Sequence, residues 1–366
     1  MALQPPVDIR SNLHPRSLYS LTHNPSTMHS QMDVAKRTDP DLAIADIAEV
    51  LTESNEILLD IPYVEGNLPT GHRVTIRTGL PRAYWKRMNQ GVPSSTSDVA
   101  QVEETCGICQ ARSIVDKMVA DLNGNSAAYR ASEDRAFIES MNEMMVDQLF
   151  YGDSRKTGDG FVGFAPRYNT TDVKKAKCAK NVIDCGGTGD SLTSIWMIGW
   201  GPDTIFGFYP KGTPVGLQRK DHGEIRVLDD NGYPFEAYET VYTWSNGLVV
   251  KDWRFAVRLC NIDVNQLKSG EGIGTGNIAA PQSMNLILKM NEALAKFPTN
   301  TSARVAIYMN PDVHAALNII ASRSNTNVLT IEQGLNLYGE HASWQSFLGR
   351  PIRRVDKLRC NEKHVD

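Results

Sequence analysis

The stretch LFYGDSRKTGDGFVGF, residues Leu149–Phe164, decides how this chain is read. Two Gly-Asp pairs stand in it, Gly152-Asp153 and Gly158-Asp159. One reading is a ligand loop, with carboxylates for a cation or glycines for a phosphate. The other is a chain reversal at the end of a helix. As a cation site the loop lacks a third carboxylate, and Arg155 and Lys156 oppose a positive ion. Upstream, Ile138, Met141, Met145 and Leu149 recur at spacings of three, four and four, which predicts an amphipathic helix from Ser126 to about Phe150. At 1.5 Å per residue that helix is roughly 35 Å long. Gly152 then stands where a glycine stops a helix. Reversal is the stronger reading, with both aspartates as turn residues beside glycines that permit positive φ.

Composition narrows the field. The chain has 366 residues, 41% hydrophobic and 22% charged, with a net charge of −4. That length accommodates two domains, or one with large extensions. The slightly acidic balance argues against a protein built to grip nucleic acid through phosphate charge. No run of about 18 apolar residues predicts a membrane span. The first 31 residues are polar, rich in Pro, Ser, His and Asn, and lack the apolar core of a signal peptide; they read as an arm. Six scattered cysteines fit a reducing compartment better than a disulfide framework.

Along the chain, Leu42, Ile44, Ile47, Val50 and Leu51 predict a helix started by Asp39-Pro40. His72–Met88 and the later VAQVEETCGICQARSIV read as the two strands of a long hairpin around NQGVPSSTSD. With little apolar content of its own, such a hairpin needs a partner surface. From Ser191 to Asp263 the pattern is an antiparallel meander, with hairpin turns expected at Asp230-Asn231-Gly232 and at Asn246-Gly247. The last hundred residues read as α/β. Pro281 opens a helix carrying Ile287, Met290, Leu294 and Phe297, and ARVAIYM is a buried strand. Asn310 then caps a helix that begins at Pro311, and FLGRPIRRVDKL turns into a final strand.

Catalytic motifs do not assemble. Cys106-Gly-Ile-Cys109 has no second pair to complete tetrahedral zinc. His222-Gly-Glu224 lacks the downstream Pro-Cys-x-x-Cys of zinc deaminases. Gly270–Gly276 fits neither phosphate-loop pattern, and Glu271 would repel a phosphate. No nucleophile–base pair, metal set or cofactor site is nominated.

The order of elements is the informative feature: arm, long hairpin, long helix, Gly-Asp loop, sheet, compact α/β unit. It resembles the major capsid protein of tailed double-stranded DNA phages, the HK97-like fold. LFYGDSRKTGDGFVGFAPRYN is similar to that family's spine-helix end, RVAIYMNPDVHAAL to its strand, Asn-Pro and helix, and FLGRPIRRVDKL to its turn into the next strand. LPTGHRVTIRTGLP, MNQGV, DLNGN and WGPDTIFGFYPKG are similar to a podovirus-type subgroup, the likeness running from about Asp33 to Glu362.

The resemblance implies an α+β fold with these parts: N-terminal arm and short helix over 1–65; extended E-loop hairpin over 66–118; peripheral-domain spine helix and following loop over 119–190; peripheral-domain antiparallel strands over 191–265; axial domain over 266–346; C-terminal strand and tail over 347–366. The strands precede the Asn-Pro unit, so the segment order is permuted relative to the prototype. The prototype's Lys–Asn cross-link is not carried over; Lys86 lies near the hairpin tip, but no motif singles it out. The implied protein self-assembles into hexamers and pentamers of an icosahedral virion shell, in the cytoplasm of a bacterial host. The shell encloses double-stranded DNA without sequence-specific binding and without a membrane. Scaffolding, portal and cement proteins are the further partners to expect, and no cofactor is. Arg73, Arg77, Arg82, Lys86, Arg87 and Asn89 of the hairpin are candidates to meet Glu133, Asp134 and Glu139 of a neighbour's helix, the equal alternative being solvated strand faces. The residues alone leave open a soluble hydrolase-like enzyme and a decoration or tail protein.

Overall fold

The computed structural model describes residues 55–121, 126–229, 231–269, 286–298, 303–323, 329–335 and 341–366. The arm through residue 54, Gly270–Gly276 and the Pro281 helix start lie outside them. The strands are β1 (Tyr63–Glu65), β2 (Gly71–Arg77), β3 (Val99–Thr105), β4 (Gly107–Asp116), β5 (Val182–Asp184), β6 (Leu192–Trp200) and β7 (Ile205–Tyr209). They continue as β8 (Gln218–Leu228), β9 (Pro234–Val250), β10 (Ala256–Asp263), β11 (Arg304–Met309), β12 (Leu329–Leu335), β13 (His341–Phe347) and β14 (Arg350–Arg354). The principal helices are α1 (Ser126–Tyr151), α2 (Leu286–Ala295) and α3 (Pro311–Arg323). Two compact units form: a smaller one from Gln110–Ile138 and Arg219–Tyr242, and a larger one from 55–109, Glu139–Gln218 and Thr243–Asp366.

In the larger unit the strand order is β12-β13-β14-β11-β6-β7-β9, with β10 also beside β6, β5 beside β10 and β1 beside β7. Every residue of β6 is buried, as expected of a strand covered on both faces. Alternation then sorts its side chains into two cores. Ile195 and Met197 join Val257, Leu259, Ile307 and Met309 beneath Met290 of α2 and Val313 and Leu317 of α3. Trp196, Ile198 and Trp200 join Tyr308 and the end of α1, where Met145, Leu149 and Phe150 lie, together with Phe164, Tyr168, Val355 and Leu358. The strand-rich stretch and the Asn-Pro unit thus share one sheet, β11 pairing with β6 from Arg304 opposite Trp200 to Tyr308 opposite Trp196. The expected cap is present: the Asn310 side-chain oxygen accepts from the Asp312 amide at 2.9 Å.

The smaller unit is built on the β8–β9 hairpin, whose turn places Gly232 at φ +83°. The Asp229 amide donates to the Tyr233 carbonyl, and Gly232 to Asp229, both at 2.9 Å. Its apolar sets are small: Ile114, Val227 and Ala237 in one, Val115, Ala120 and Tyr129 in the other.

The second expected hairpin does not form. Asn246-Gly247 lies inside the uninterrupted strand β9, with Gly247 paired opposite Phe208. A Cβ on Gly247 would lie 2.3 Å from the Phe208 ring. This glycine serves close approach, not a turn. Gly247→Val should therefore destabilise the protein by about 1–3 kcal/mol or more through overpacking. Gly232→Ala should cost about 1 kcal/mol through its positive φ. Urea unfolding followed by tryptophan fluorescence distinguishes them; Gly247→Val no worse than Gly232→Ala would contradict the packing role.

Candidate assembly surface

Helix α1 ends at Tyr151, and its last carbonyls need donors. The following chain supplies them by returning to the same place: Phe164 N donates to Leu149 O at 2.9 Å, Ala165 N to Phe150 O at 2.7 Å and Gly163 N to Gly152 O at 2.8 Å. The Gly-Asp stretch is the reversal that makes this possible. Gly158 and Gly160 adopt φ +79° and +68°, as turn glycines should. Gly152 does not have positive φ; it is small because a Cβ there would sit 2.2 Å from the Gln148 amide. That amide donates to Phe161 O at 2.6 Å and ties the loop to the helix. Asp153 faces Arg155 and Lys156 of its own loop, at 3.1 and 3.4 Å.

The hairpin departs close by. Strands β2 and β3 form a separate two-stranded ribbon, paired from Gly71 opposite Thr105 to Arg77 opposite Val99. The single returning strand expected from Val99 onward is two strands, β3 and β4, that break at Cys106 and join different sheets. At the root, Val74 packs with Phe206, Phe208 and Val249, and the His72 ring stands edge-on to Phe206 at 5.6 Å. The ladder stops at Arg77 instead of continuing to Met88. Pro81 and Pro93 lack the donors a ladder needs. From Thr78 to Asp98 the chain forms no strand or helix: Thr78 N and Gly79 N still donate to Asp98 O and Asp98 N to Gly79 O, the Ser95 hydroxyl donates to Arg82 O, and at the turn Asn89 takes φ +59° and Gln90 N donates to Arg87 O.

This tip exposes large apolar side chains: Trp85 fully, Met88 at 96% and Leu80 at 81%. Arg82, Lys86, Arg87 and Asn89 are exposed in the same stretch, and Arg73 and Arg77 are exposed on strand β2. Arg73 pairs with Glu103 directly across the ribbon at 2.9 Å. Tryptophan, methionine and arginine together are the composition of a protein–protein contact. Sequence reasoning weighed the cations and passed over Leu80, Trp85 and Met88. Their signal was present, as bulky apolar residues among turn residues.

The acidic side differs from expectation. Glu133 and Asp134 are each under a tenth exposed. Asp134 accepts from Arg219 of β8 at 2.9 Å, and Arg219 also reaches the Tyr242 hydroxyl at 3.3 Å. Asp134 is thus engaged within the smaller unit and Glu133 is buried, whereas Glu139 keeps a surface share. Further ion pairs supplement that unit's small cores: Arg112–Glu239 at 3.0 Å and Arg130–Asp221 at 2.7 Å. The Gly223 amide and then the Arg130 guanidinium hold the Asp221 carboxyl below the ordinary carboxylate range.

The chemical motifs separate. Cys106 packs beside Phe208 while Cys109 packs against the core containing Phe150. Burial pushes the Cys106 thiol up to about 11, opposite to the shift of a reactive or metal-bound thiol. His222 faces Glu239 at 3.3 Å, and Glu224 binds Lys117 at 2.8 Å. Among the described residues no helix is long and apolar enough to cross a membrane.

Residues 39–366 match the family model described as Major capsid protein GP7. A search of curated proteins finds no match. Among solved structures, the chain is 32% identical to a chain in the near-atomic structure of bacteriophage Epsilon15, with TM-score 0.72, covering 93% of this chain and 97% of that one. The capsid of bacteriophage JBD30 aligns at TM-score 0.49 and 9% identity over 85% of this chain and 93% of that one. The capsid of an empty GTA particle aligns at 0.43 and 10% identity, over 63% and 97%.

Two outcomes follow for the smaller unit. Arg219→Ala leaves Asp134 without its guanidinium and should cost about 1–3 kcal/mol, read by urea unfolding of the subunit. Because the folded Asp221 titrates below its unfolded value, its contribution is present above about pH 4 and is lost as pH falls through the folded value. The protection of β8 amides, taken relative to the intrinsic exchange rate at each pH, should therefore fall on acidification, and Asp221→Asn should flatten that dependence. An unchanged acid profile in the variant would remove Asp221 from the account.

Proposed function

The chain belongs to the major capsid protein GP7 family, and on that premise we propose how its subunits join. It is a tailed-phage major capsid protein of the HK97-like fold, a structural subunit of the virion shell that assembles in many copies. The contact that joins neighbours is the ribbon β2–β3 with its tip, the E-loop of this fold, lying over the next subunit. The observation that carries this reading is Trp85, fully exposed at the end of an arm that buries nothing of its own tip. Burying a side chain of that kind against a neighbour contributes roughly 1.5–3 kcal/mol. Repeated in the same sense around a ring, such a head-to-tail contact closes a capsomer.

Arg77, Arg82, Lys86, Arg87 and Asn89 form the polar rim of this contact, where charge sets approach and register more than affinity. Of the acids first expected opposite them, Glu139 keeps surface for the task. The domain names carry over on the same reading, with α1 as spine, the ribbon as E-loop and the Asn-Pro unit as axial domain. Capsomers are hexamers and pentamers of an icosahedral shell built in the host cytoplasm around double-stranded DNA. The net charge of −4 supports enclosure without a tight grip on phosphate. Scaffolding, portal and cement proteins are its further partners, and the subunit performs no chemical step.

The test is the double substitution Trp85→Ser with Met88→Ser. The subunit should keep its circular dichroism, because neither residue supports the fold. The concentration at which shells appear in electron micrographs should rise about 10-fold to 100-fold for each lost contact of this size. Closed shells forming at the wild-type concentration would overturn the arm contact.

A further inference from the structure

We propose that Arg167 is the positioning residue of the arm: its two-point bond to Glu104 presents the ribbon in its docking direction before a neighbour arrives. This rests on the reading of the ribbon as the inter-subunit contact.

Glu104 is the penultimate residue of β3 and is buried. Arg167 Nη1 donates to its Oε1 at 2.6 Å and Nη2 to its Oε2 at 2.7 Å. The same guanidinium donates from Nη2 to Val162 O at 3.0 Å and from Nε to Gly163 O at 3.3 Å. Gly163 is hydrogen-bonded to the α1 terminus, so one planar group joins the root of the arm to the end of the spine helix. A fork of fixed geometry on a carboxylate sets direction as well as distance.

Backbone contacts remove the remaining freedom at the root. A Cβ on Gly107, just beyond β3, would lie 2.6 Å from the Gly160 Cα of the Gly-Asp loop. A Cβ on Gly71, the first residue of β2, would lie 2.4 Å from Glu104 O. The Gly71 contact locks the two ribbon strands to each other, and the Gly107–Gly160 contact presses the ribbon's exit onto the Gly-Asp loop of the body. Its seven paired positions extend roughly 20 Å at 3.3–3.4 Å per residue. A 10° tilt at the root would move the far end by about 3–4 Å, enough to lose a packed contact. Beyond the Gly79–Asp98 backbone pair the tip has no paired strand. The arm is stiff where it is aimed and adaptable where it docks.

A purely structural role makes a different prediction, because a buried ion pair is weak evidence for stability and an apolar pair of similar volume usually serves as well. The double variant Glu104→Met with Arg167→Met separates the two. The urea midpoint of unassembled subunits should stay near the wild-type value. Amide exchange over Val74–Arg77 should accelerate at least tenfold, and the yield of closed shells should fall at least tenfold in favour of open or mis-sized products. Arg167→Lys keeps the charge without the fork and, should the double variant not fold, is expected to give the same malformed products. Normal closed-shell yield from either folded variant would overturn the proposal. Failure of the arm reading itself looks different: Trp85→Ser with Met88→Ser would then assemble normally with its root amides still protected.

Discussion

A helix that ends inside a protein leaves carbonyls without donors, and the end of α1 is where this requirement organises the molecule. The chain meets it by making a tight loop and returning its own amides from Gly163, Phe164 and Ala165. That return has two consequences. It drives Phe164 into contact with Phe150 and Trp196, at ring separations of 6.2 and 5.7 Å, over the central strand β6. It also carries Arg167 to within reach of Glu104 at the foot of the arm. The core, the helix end and the arm root are one junction.

Around that junction the body is fastened by buried charge as well as apolar packing. Arg258 lies over the Trp196 ring at 5.1 Å and pairs with Glu362 at 2.8 Å, and Glu362 accepts from the Tyr151 hydroxyl at 2.6 Å. The C-terminal segment is thereby tied to the helix end. Asp60, near the start of the described chain, accepts from Arg304 at 2.7 Å and from the Tyr308 hydroxyl at 2.9 Å. Burial of such pairs costs desolvation, and their geometry specifies register. A shell subunit has use for that rigidity, because an angular error in one copy is repeated in every contact.

Local patterns were legible where one short-range cause decides. The stripe Met141, Met145, Leu149 marked the buried face of α1, all three being buried. Asn310 before Pro311 marked a helix start because capping involves three or four neighbouring residues. The pair Asn231-Gly232 marked a turn. Asn246-Gly247 has the same letters and sits within a strand, because Phe208 of another strand requires the missing side chain. Glu133 and Asp134 looked like surface acids, and only the fold shows Arg219 beside Asp134.

The order of elements, the long helix α1 and its stopping place, and the family resemblance built on them were legible in the residues alone. These depend on spacing along the chain, which sequence records directly. Tertiary structure decided that two Asn-Gly pairs have different jobs, that β3 and β4 part at Cys106, and that Trp85 and Met88 are left bare. Each of those outcomes depends on what a distant segment brings to the site. The Gly-Asp stretch shows both kinds of cause: its glycines announced a reversal, while the fold gave Gly160 its second role as the surface on which Gly107 rests.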